Sequence, residues 1–321
     1  MSIFSKIKRY WNEETKVDFE WSIYYRNKPT GSILSDFETP FKRINVSKGF
    51  WCADPLIFRD GDNTFLFFEL FDKKKDKGSI ACLSIKEILS NEYFIVMEEP
   101  FHLSFPFVFR DGENYYMIPE TGSANNVGIY KAEVFPNKWI KERDILTNVL
   151  ACDSILYHSS NKTYLLSSFL RDNAIYASNK LFELNNDFEI SCEVSESAYS
   201  NEGIRNGGPL FEFENHFYRP GQYGVRGDYG KALYIWEFDL KTGKDIKISS
   251  KIETEQYVFE DDTPKQGIHT YSSCEEYEFI DVKRIIKNNF FKRVALLVKR
   301  IFKRRKKLIT ANKVFQKIFK L

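Results

Sequence analysis

The feature that most constrains this chain is one segment that recurs along it. Each copy consists of a short apolar strand, a polar turn and an aromatic strand. The copies read CADPLIFRDGDNTFLFFE at 52–69, SFPFVFRDGENYYMIPE at 104–120, CDSILYHSSNKTYLLSS at 152–168 and GPLFEFENHFYRP at 208–220, with a weaker HTYSSCEEYEFID at 269–281. Turn residues between apolar runs are typical of β-hairpins, so each copy predicts a hairpin.

A repeat of about 40–50 residues with roughly four strands is typical of one blade of a β-propeller. Five copies therefore predict an all-β chain with a five-bladed β-propeller over 18–281, in which the strand near 18–25 completes the last blade. The alternative is a β-sandwich with accidental internal similarity. Aromatic residues make up 17% of the chain, and this favours strands over helices in either case.

Composition excludes several classes of protein. There is no apolar run of 18 residues and no secretory signal at the N-terminus, so neither a membrane span nor export is expected. The five cysteines form no CxxC pair, which argues against a disulfide framework or a zinc ribbon and favours a reducing cytoplasm. No metal-ligand spacing or dinucleotide-binding motif is present, and we expect neither a metal nor a cofactor.

Two aspartates occupy the same phase of the repeat. Aligned on the strand that enters the turn, Asp54, Phe105, Asp153 and Gly208 are equivalent. In a propeller this position begins the innermost strand, so carboxylates from different blades would meet at one mouth of the central channel. Glu69 and Glu120 end the next strand and could reach the same mouth, where neighbouring carboxylates raise one another's pKa. The alternative reading is that Asp54 merely starts a strand and caps a turn.

Several runs resemble the N-terminal domain family of plant glucosamine inositolphosphorylceramide transferase. They include HLSFPFVFRDGENYYMIPET and NGGPLFEFENHFYRPGQYG, and the resemblance covers about residues 20–281. Bacterial relatives of that family typically occur in polysaccharide gene clusters. The resemblance therefore implies a setting in glycan synthesis more directly than it implies one reaction.

The blades more distantly resemble the five-bladed family-43 glycoside hydrolases. That resemblance implies a base aspartate in the first blade, a pKa-tuning aspartate in the third and an acid glutamate in the fourth. Asp54 and Asp153 match the first two, but Gly208 stands in place of the acid. Glu202 or Glu120 could substitute for it, or the reaction could be a transfer whose leaving group is already activated and needs no acid.

Other polar side chains are candidates for binding substrate. A guanidinium group suits phosphate or carboxylate, which indicates a phosphorylated or acidic sugar near Arg205 or Arg219. Arg219 could equally form an ion pair with a channel carboxylate, and His269 could be a turn histidine. The substrate-binding candidates are Glu69, His102, Arg205, Arg219, Gln222, Tyr229 and His269.

The C-terminal residues differ sharply from the rest. Residues 282–321 hold 15 lysines and arginines and no acid, which leaves 32 bases against 45 acids in the preceding part. The apolar residues of this tail follow helical spacing on one face, as in helices that lie in a membrane interface. The predicted membrane-binding residues are Lys292, Arg293, Lys299, Arg300, Lys303, Arg304 and Arg305. A basic amphipathic segment at 1–17 would add a weaker anchor; a partner helix and nucleic acid are the alternatives, and the apolar face disfavours nucleic acid.

Together these patterns predict a glycosyltransferase or related glycan-modifying enzyme, cytoplasmic and peripheral on the inner face of the membrane. Its partners would be an activated sugar donor, a glycan acceptor on a lipid-linked capsule or O-antigen intermediate, and an anionic membrane surface. Asp54 would be the base, and Asp153 would tune it. Glu120 or Glu69 would orient the acceptor or supply an acid, and Arg205 or Arg219 would hold the donor phosphate. The alternatives are a furanosidase-like hydrolase and a glycan-binding propeller without catalysis.

Overall fold

The computed structural model describes residues 15, 17–28, 36–171, 176–225 and 228–298. Its strands, in chain order, begin with β1 (Val17–Asn27) and β2 (Lys42–Arg43). Blade 1 follows with β3 (Phe50–Asp60), β4 (Asn63–Asp72), β5 (Lys77–Ser84) and β6 (Phe94–Met97). Blade 2 has β7 (Ser104–Asp111), β8 (Asn114–Glu120), β9 (Asn126–Val134) and β10 (Lys138–Thr147). Blade 3 has β11 (Ala151–Ser159), β12 (Lys162–Arg171), β13 (Tyr176–Leu184) and β14 (Ile190–Glu196).

Blade 4 is less regular than the first three. It has β15 (Glu202–Asn206), β16 (Phe211–Phe213), β17 (His216–Val225), β18 (Asp228–Asp239) and β19 (Lys244–Ile252). Blade 5 combines β20 (Ile268–Ser273) and β21 (Tyr277–Lys287) with the two strands from the start of the chain, in the order β2-β1-β21-β20. The predicted five-bladed, all-β propeller is confirmed, and so is the closure of the last blade by the N-terminal strand.

The hairpin turns explain why the repeats were visible in the sequence. In blade 3 the strands β11 and β12 are joined by Ser160 and Asn161, both with positive φ, as in the turns that match strand twist. Gly61 and Gly112 take positive φ at the start of the corresponding turns of blades 1 and 2. Asn and Gly tolerate this backbone region at low cost, and this is why the turns share a composition.

The core lies between neighbouring blades. Phe67 and Phe68 follow one another on β4 and are both fully buried, although their side chains point to opposite faces. Phe68 packs in a cluster with Phe279 of blade 5, and Phe67 packs with Val108 of blade 2. Because both faces of the sheet are covered, the strands read as continuous apolar runs rather than as alternating ones.

Each inner strand of the first three blades is interrupted by a bulge at the same place. Asp54, Phe105 and Asp153 have φ of +52°, +44° and +47°, and the strand register shifts around each of them. Positive φ at residues other than glycine is strained and concentrates at functional sites. The bulge turns these side chains out of the regular alternation of the strand and into the centre of the propeller.

The chain divides into two compact units, one of residues 21–284 and one of residues 1–20 with 285–321. The sequence analysis ended the propeller at 281; in the structure β21 runs to Lys287, and a helix, α1, covers 290–298. The predicted basic residues Lys299, Arg300, Lys303, Arg304 and Arg305, and most of the segment 1–17, lie outside the described residues. Within the described part of the chain, no helix is both long and apolar enough to cross a bilayer.

Candidate active site

Five carboxyl groups from four blades are buried or half-buried around the centre of the propeller. We call this set the central acidic cluster; its members are Asp54, Glu69, Glu120, Asp153 and Asp281. The two aspartates that share a phase of the repeat are both buried, with Asp54 5% and Asp153 1% exposed. Both lie inside the propeller. The sequence had predicted that they would lie at one mouth of the central channel.

Asp281 holds the fifth blade against the first. Its carboxylate accepts hydrogen bonds from the backbone N–H groups of Asp54, His269 and Thr270, at 3.0, 3.1 and 2.9 Å. It also forms a 2.6 Å ion pair with His269 Nδ1. Asp54 in turn accepts from Phe105 N (3.1 Å) and Thr270 Oγ1 (2.9 Å). The geometry of Asp54 is therefore fixed by three blades.

Electrostatics set different protonation states for Asp54 and His269. Burial raises the pKa of Asp54 to about 6; His269 opposes this, and Asp281 and Asp153 add to it. Burial disfavours charge on His269, yet the carboxylates of Asp281 and Asp54 outweigh burial, so the pKa of His269 is raised. Its ring stacks on Trp21 at 3.8 Å, and its Nε2 lies 3.7 Å from Asp54 Oδ1. At neutral pH, Asp54 is thus mainly ionised, and the raised pKa of His269 favours the protonated form of the imidazole that faces it.

Arg205 links the second and third blades. Its Nε donates to Asp153 Oδ2, and its Nη2 lies 3.3 Å from Glu120 Oε2. Gln222 donates to the same Asp153 oxygen at 2.9 Å, and Tyr229 donates to Gln222 Oε1 at 2.9 Å. The guanidinium also lies 5.2 Å from the centre of the Tyr229 ring. Asp153 is therefore held by two donors from blade 4. Such a fixed geometry is expected of a residue that positions its neighbours.

Glu69 and Glu120 are the groups suited to giving up a proton. Burial raises the pKa of Glu69 well above its usual range, and Asp54 and Glu120 raise it further. Burial also raises the pKa of Glu120, with Asp153 adding to it and Arg205 opposing it. Both shifts favour the protonated form of the carboxyl over the carboxylate. His102, half-buried beside Glu69, lies with Nε2 3.4 Å from Glu69 Oε1.

Arg219 departs from the sequence-based expectation. Arg219 is fully buried in blade 4, where Asp245 pairs with both its Nε and Nη2 at 2.8 and 2.6 Å. Its Nη1 and Nη2 also donate to backbone carbonyls, so none of its nitrogens is left for a substrate. The predicted role of Arg219 in holding a donor phosphate is therefore wrong, because the ion pair is internal to the blade.

Gly208 occupies the blade 4 position at which the resemblance to family-43 glycoside hydrolases implies an acid, and this position cannot hold any side chain. Gly208 has φ of +151°, and a Cβ there would overlap the carbonyl oxygen of Tyr271 on the next inner strand. Glu202, one of the two substitutes considered, is exposed at the start of β15. Glu120 is the substitute that the structure brings to the cluster.

Two groups of side chains have the spacing of metal ligands among the described residues. In the first, Asp54, His269 and Asp281, the oxygens of Asp281 are already occupied by the hydrogen bonds above. In the second, Glu120, Cys152 and Asp153, burial raises the pKa of the Cys152 thiol and keeps it protonated. Because these groups are committed to the protein's own contacts, we assign no metal to either.

Sequence reasoning missed Asp281 and Thr270 as parts of the site. The fifth repeat, at 269–281, contains both residues. The register shift in β20 places His269 at the phase of Asp54, so Thr270 follows that position directly and Asp281 ends the repeat. Asn206 was also missed. Its Nδ2 donates to the backbone oxygen of Asp153 at 2.7 Å and ties blade 4 to blade 3.

Solved structures with the same fold are sugar-cleaving enzymes. The catalytic domain of Coprinopsis cinerea GH62 alpha-L-arabinofuranosidase aligns with a TM-score of 0.55 and 10% identity, over 82% of this chain and 97% of that one. CoXyl43, a GH43 beta-xylosidase/alpha-arabinofuranosidase from a compost microbial metagenome, aligns with a TM-score of 0.51 and 8% identity, over 75% and 92%. At such low identity the likeness shows the fold alone, and it confirms the predicted likeness to these propellers.

Sequence relatives identify the family. Glucosamine inositolphosphorylceramide transferase 1 of Oryza sativa subsp. indica is 30% identical over 210 residues, which is 61% of this chain and 27% of the relative. The Arabidopsis thaliana protein of the same name is 28% identical over 253 residues, which is 74% of this chain and 31% of the relative. The chain thus spans under a third of the length of these relatives. With residues 41–294 matching the family described as glucosamine inositolphosphorylceramide transferase 1, N-terminal, the chain belongs to that family.

Proposed function

We propose that this propeller is a glycan-modifying enzyme that transfers a glycosyl group from an activated donor to a hydroxyl acceptor at the central acidic cluster. The observation that supports this best is the division of labour among the carboxyls. Asp54 has a pKa of about 6 and is mainly ionised at neutral pH, while burial raises the pKa of Glu69 and Glu120 well above the usual value and favours their protonated forms. Adjacent groups with separated pKa values are what acid–base chemistry needs.

In this reaction Asp54 accepts the proton of the acceptor hydroxyl as its oxygen attacks the anomeric carbon. The new C–O bond forms as the bond to the leaving group breaks, and the leaving group departs with that electron pair. An activated leaving group needs no proton donor, which agrees with the absence of a side chain at Gly208. Arg205 is the cation of the cluster suited to an anionic leaving group, since its Nη1 has no hydrogen bond among the described residues.

Hydrolysis of a glycoside is the second candidate, and the raised pKa values of Glu69 and Glu120 favour it. Cleavage of an unactivated glycosidic bond needs one carboxyl that donates a proton and one carboxylate opposite it. Glu69 or Glu120 could protonate the leaving oxygen while Asp54 activates a water. Loss of activity in Glu69→Gln and Glu120→Gln variants would favour hydrolysis, whereas transfer from an activated donor would tolerate at least one of them.

We further propose that the enzyme works on lipid-linked surface-polysaccharide intermediates at the cytoplasmic face of the membrane. Support comes from α1, which exposes Phe290 (65%) and Phe291 (82%) to solvent in a region rich in bases. Of the predicted membrane-binding residues, Lys292 pairs with Asp18 at 2.9 Å and Arg293 donates to Thr15 Oγ1 at 3.2 Å. These two bases are partly engaged within their own unit, so the aromatic residues are the stronger candidates for lipid contact.

The catalytic proposal is tested by Asp54→Asn and Asp153→Asn variants in cells that depend on this gene for a surface glycan. Loss of the glycan in both variants, with normal protein levels, is the expected result. Asp62→Asn is the matched control, because Asp62 lies exposed in the turn of the same β3–β4 hairpin. A glycan unchanged in both site variants would indicate a binding module without catalysis.

The membrane proposal is tested by sedimentation of the full chain with vesicles containing anionic lipid. Phe291→Ser should reduce the bound fraction several-fold, since burying an aromatic side chain contributes roughly 2 kcal/mol. Leu89→Ser is the matched control, because Leu89 is 81% exposed in the propeller and equally apolar. Equal binding of both variants would indicate that α1 contacts a protein partner instead.

A further inference from the structure

His102 is held in one orientation by the backbone of blade 1. Its Nδ1 accepts a hydrogen bond from Gly78 N at 2.9 Å, so the ring proton of the neutral imidazole lies on Nε2. That Nε2 faces Glu69 Oε1 at 3.4 Å. The tautomer follows from the Gly78 contact alone, and it makes His102 a donor toward Glu69.

Glu69 Oε1 lacks a hydrogen-bond partner among the described residues, although it is fully buried. The ion-pair distance of 3.4 Å to His102 is too long for a good hydrogen bond, which is why this oxygen remains unpaired. Hydrogen bonds at catalytic sites are often long without substrate and tighten when it binds. An unpaired buried acceptor opposite a fixed donor is the arrangement expected of such a bond.

The close approach of His102 to Glu69 depends on Gly78. A Cβ at this position would lie 2.7 Å from Glu69 Oε1 and 2.9 Å from His102 Cε1, and it would overlap the carbonyl oxygen of Leu103. Any other residue would therefore separate the imidazole from the carboxyl. The glycine serves a specific contact here and not a turn, since it lies within the regular strand β5.

We propose that His102 is a positioning residue for Glu69: its Nε2–H bonds to Oε1 in the substrate complex, so that the carboxyl proton of Glu69 is carried on Oε2. This rests on the hydrolytic candidate of the proposed function, in which the neutral carboxyl of Glu69 protonates the leaving oxygen. No proton passes through the ring, because the Nδ1 lone pair is taken by Gly78. His102 thus selects the oxygen from which Glu69 donates.

The charges around both groups agree with this role. Glu69 is faced by the other four members of the central acidic cluster, Asp54, Glu120, Asp153 and Asp281, which favour its neutral form. His102 is faced by Glu69, by the Phe71 ring at 5.9 Å and by Asp76. Burial lowers the pKa of His102 and the charge of Asp76 opposes this only in part, so the imidazole stays neutral.

The test uses nitrogen NMR of the full chain labelled at histidine. The chain has four histidines, and His102→Phe identifies the signal of His102 by its loss. At pH 6.5, where a free histidine is half-protonated, we expect His102 to be mainly neutral with its proton on Nε2. A short peptide that contains one histidine serves as the reference for a free imidazole. We expect Glu69→Gln to shift the Nε2 signal more than Glu120→Gln does.

The proposal is overturned by any of three results: a proton on Nδ1, titration of His102 at the pH of a free histidine or above it, or an Nε2 signal that Glu69→Gln leaves unmoved. None of these requires activity, so they are separate from a failure of the proposed reaction. Once a product assay exists, His102→Gln, which retains a donor near Nε2, should keep most of the kcat. His102→Phe should lower kcat at least tenfold and alter the pH profile, without a matching rise in KM.

Discussion

The burial of Asp54 predicts a pH-dependent cost in stability that its amide analogue lacks. The pKa of this carboxyl rises from 3.8 to about 6 on folding. The folded protein thus binds the proton more tightly than the unfolded chain, and its stability falls as pH rises from about 4 to 6. At ~1.4 kcal/mol for each pH unit, the cost is about 3 kcal/mol, complete above pH 6. The Asp54→Asn variant should not show this loss of stability as pH rises.

The measurement is the difference in unfolding free energy between Asp54→Asn and the unmodified protein, from denaturant titrations at pH 4 to 8. Because asparagine has one acceptor oxygen where Asp54 uses two, the variant starts with a constant loss. The prediction concerns the change with pH: the variant should gain roughly 3 kcal/mol relative to the parent between pH 4 and pH 7. Asp62→Asn should show no such change.

The reasoning is refuted if the unfolding free energy of the variant, relative to that of the parent, stays constant or decreases as pH rises. Such a result would mean that Asp54 is solvated, or that the His269 imidazolium compensates its charge fully. The predicted outcome would also explain why a strained, buried carboxylate persists. A residue that lowers stability at neutral pH is retained for its chemistry.

Three further predictions test the surroundings of the site. Asp245→Ala should lower the unfolding free energy by roughly 3–5 kcal/mol, since it leaves Arg219 buried without its partner; a loss under 1 kcal/mol in denaturant titrations would show that Arg219 is solvated. Gly208→Ala should destabilise by more than ~1 kcal/mol through its φ of +151° and a backbone overlap, and an unchanged melting temperature would contradict this. Exposed Cys192 should react with iodoacetamide in the native protein, while Cys52, whose pKa burial raises to about 12, should react only after unfolding; mass spectrometry of the labelled peptides distinguishes the two.

Much of the fold could be predicted because its signals are local. Turn residues and apolar runs recur at one phase, and the same repeat brought Asp54 and Asp153 to equivalent bulges. Arg219 could not be placed in the same way, because its partner Asp245 lies on the outermost strand of an irregular blade. Pairing across such a blade depends on register, which apolar periodicity does not reveal.

The protonation states were beyond the sequence for a different reason. A converging set of carboxyls was predictable, but which of them is ionised depends on the depth of burial and on distances of a few ångströms. Glu69 and Asp54 share a blade, yet His269 opposes the rise in the pKa of Asp54, while the other acids around Glu69 only add to the rise in its pKa. Such differences arise only after five sheets have met.

The fifth blade draws its strands from both ends of the propeller sequence, with β1 hydrogen-bonded to β21. During synthesis the first strand must therefore wait for its partner until all the other blades have emerged from the ribosome. The ring cannot close earlier, and Asp281 reaches Asp54 only at that last step. Closure of the ring therefore also completes the central acidic cluster. A nascent chain released before this step would have four sheets and an incomplete cluster.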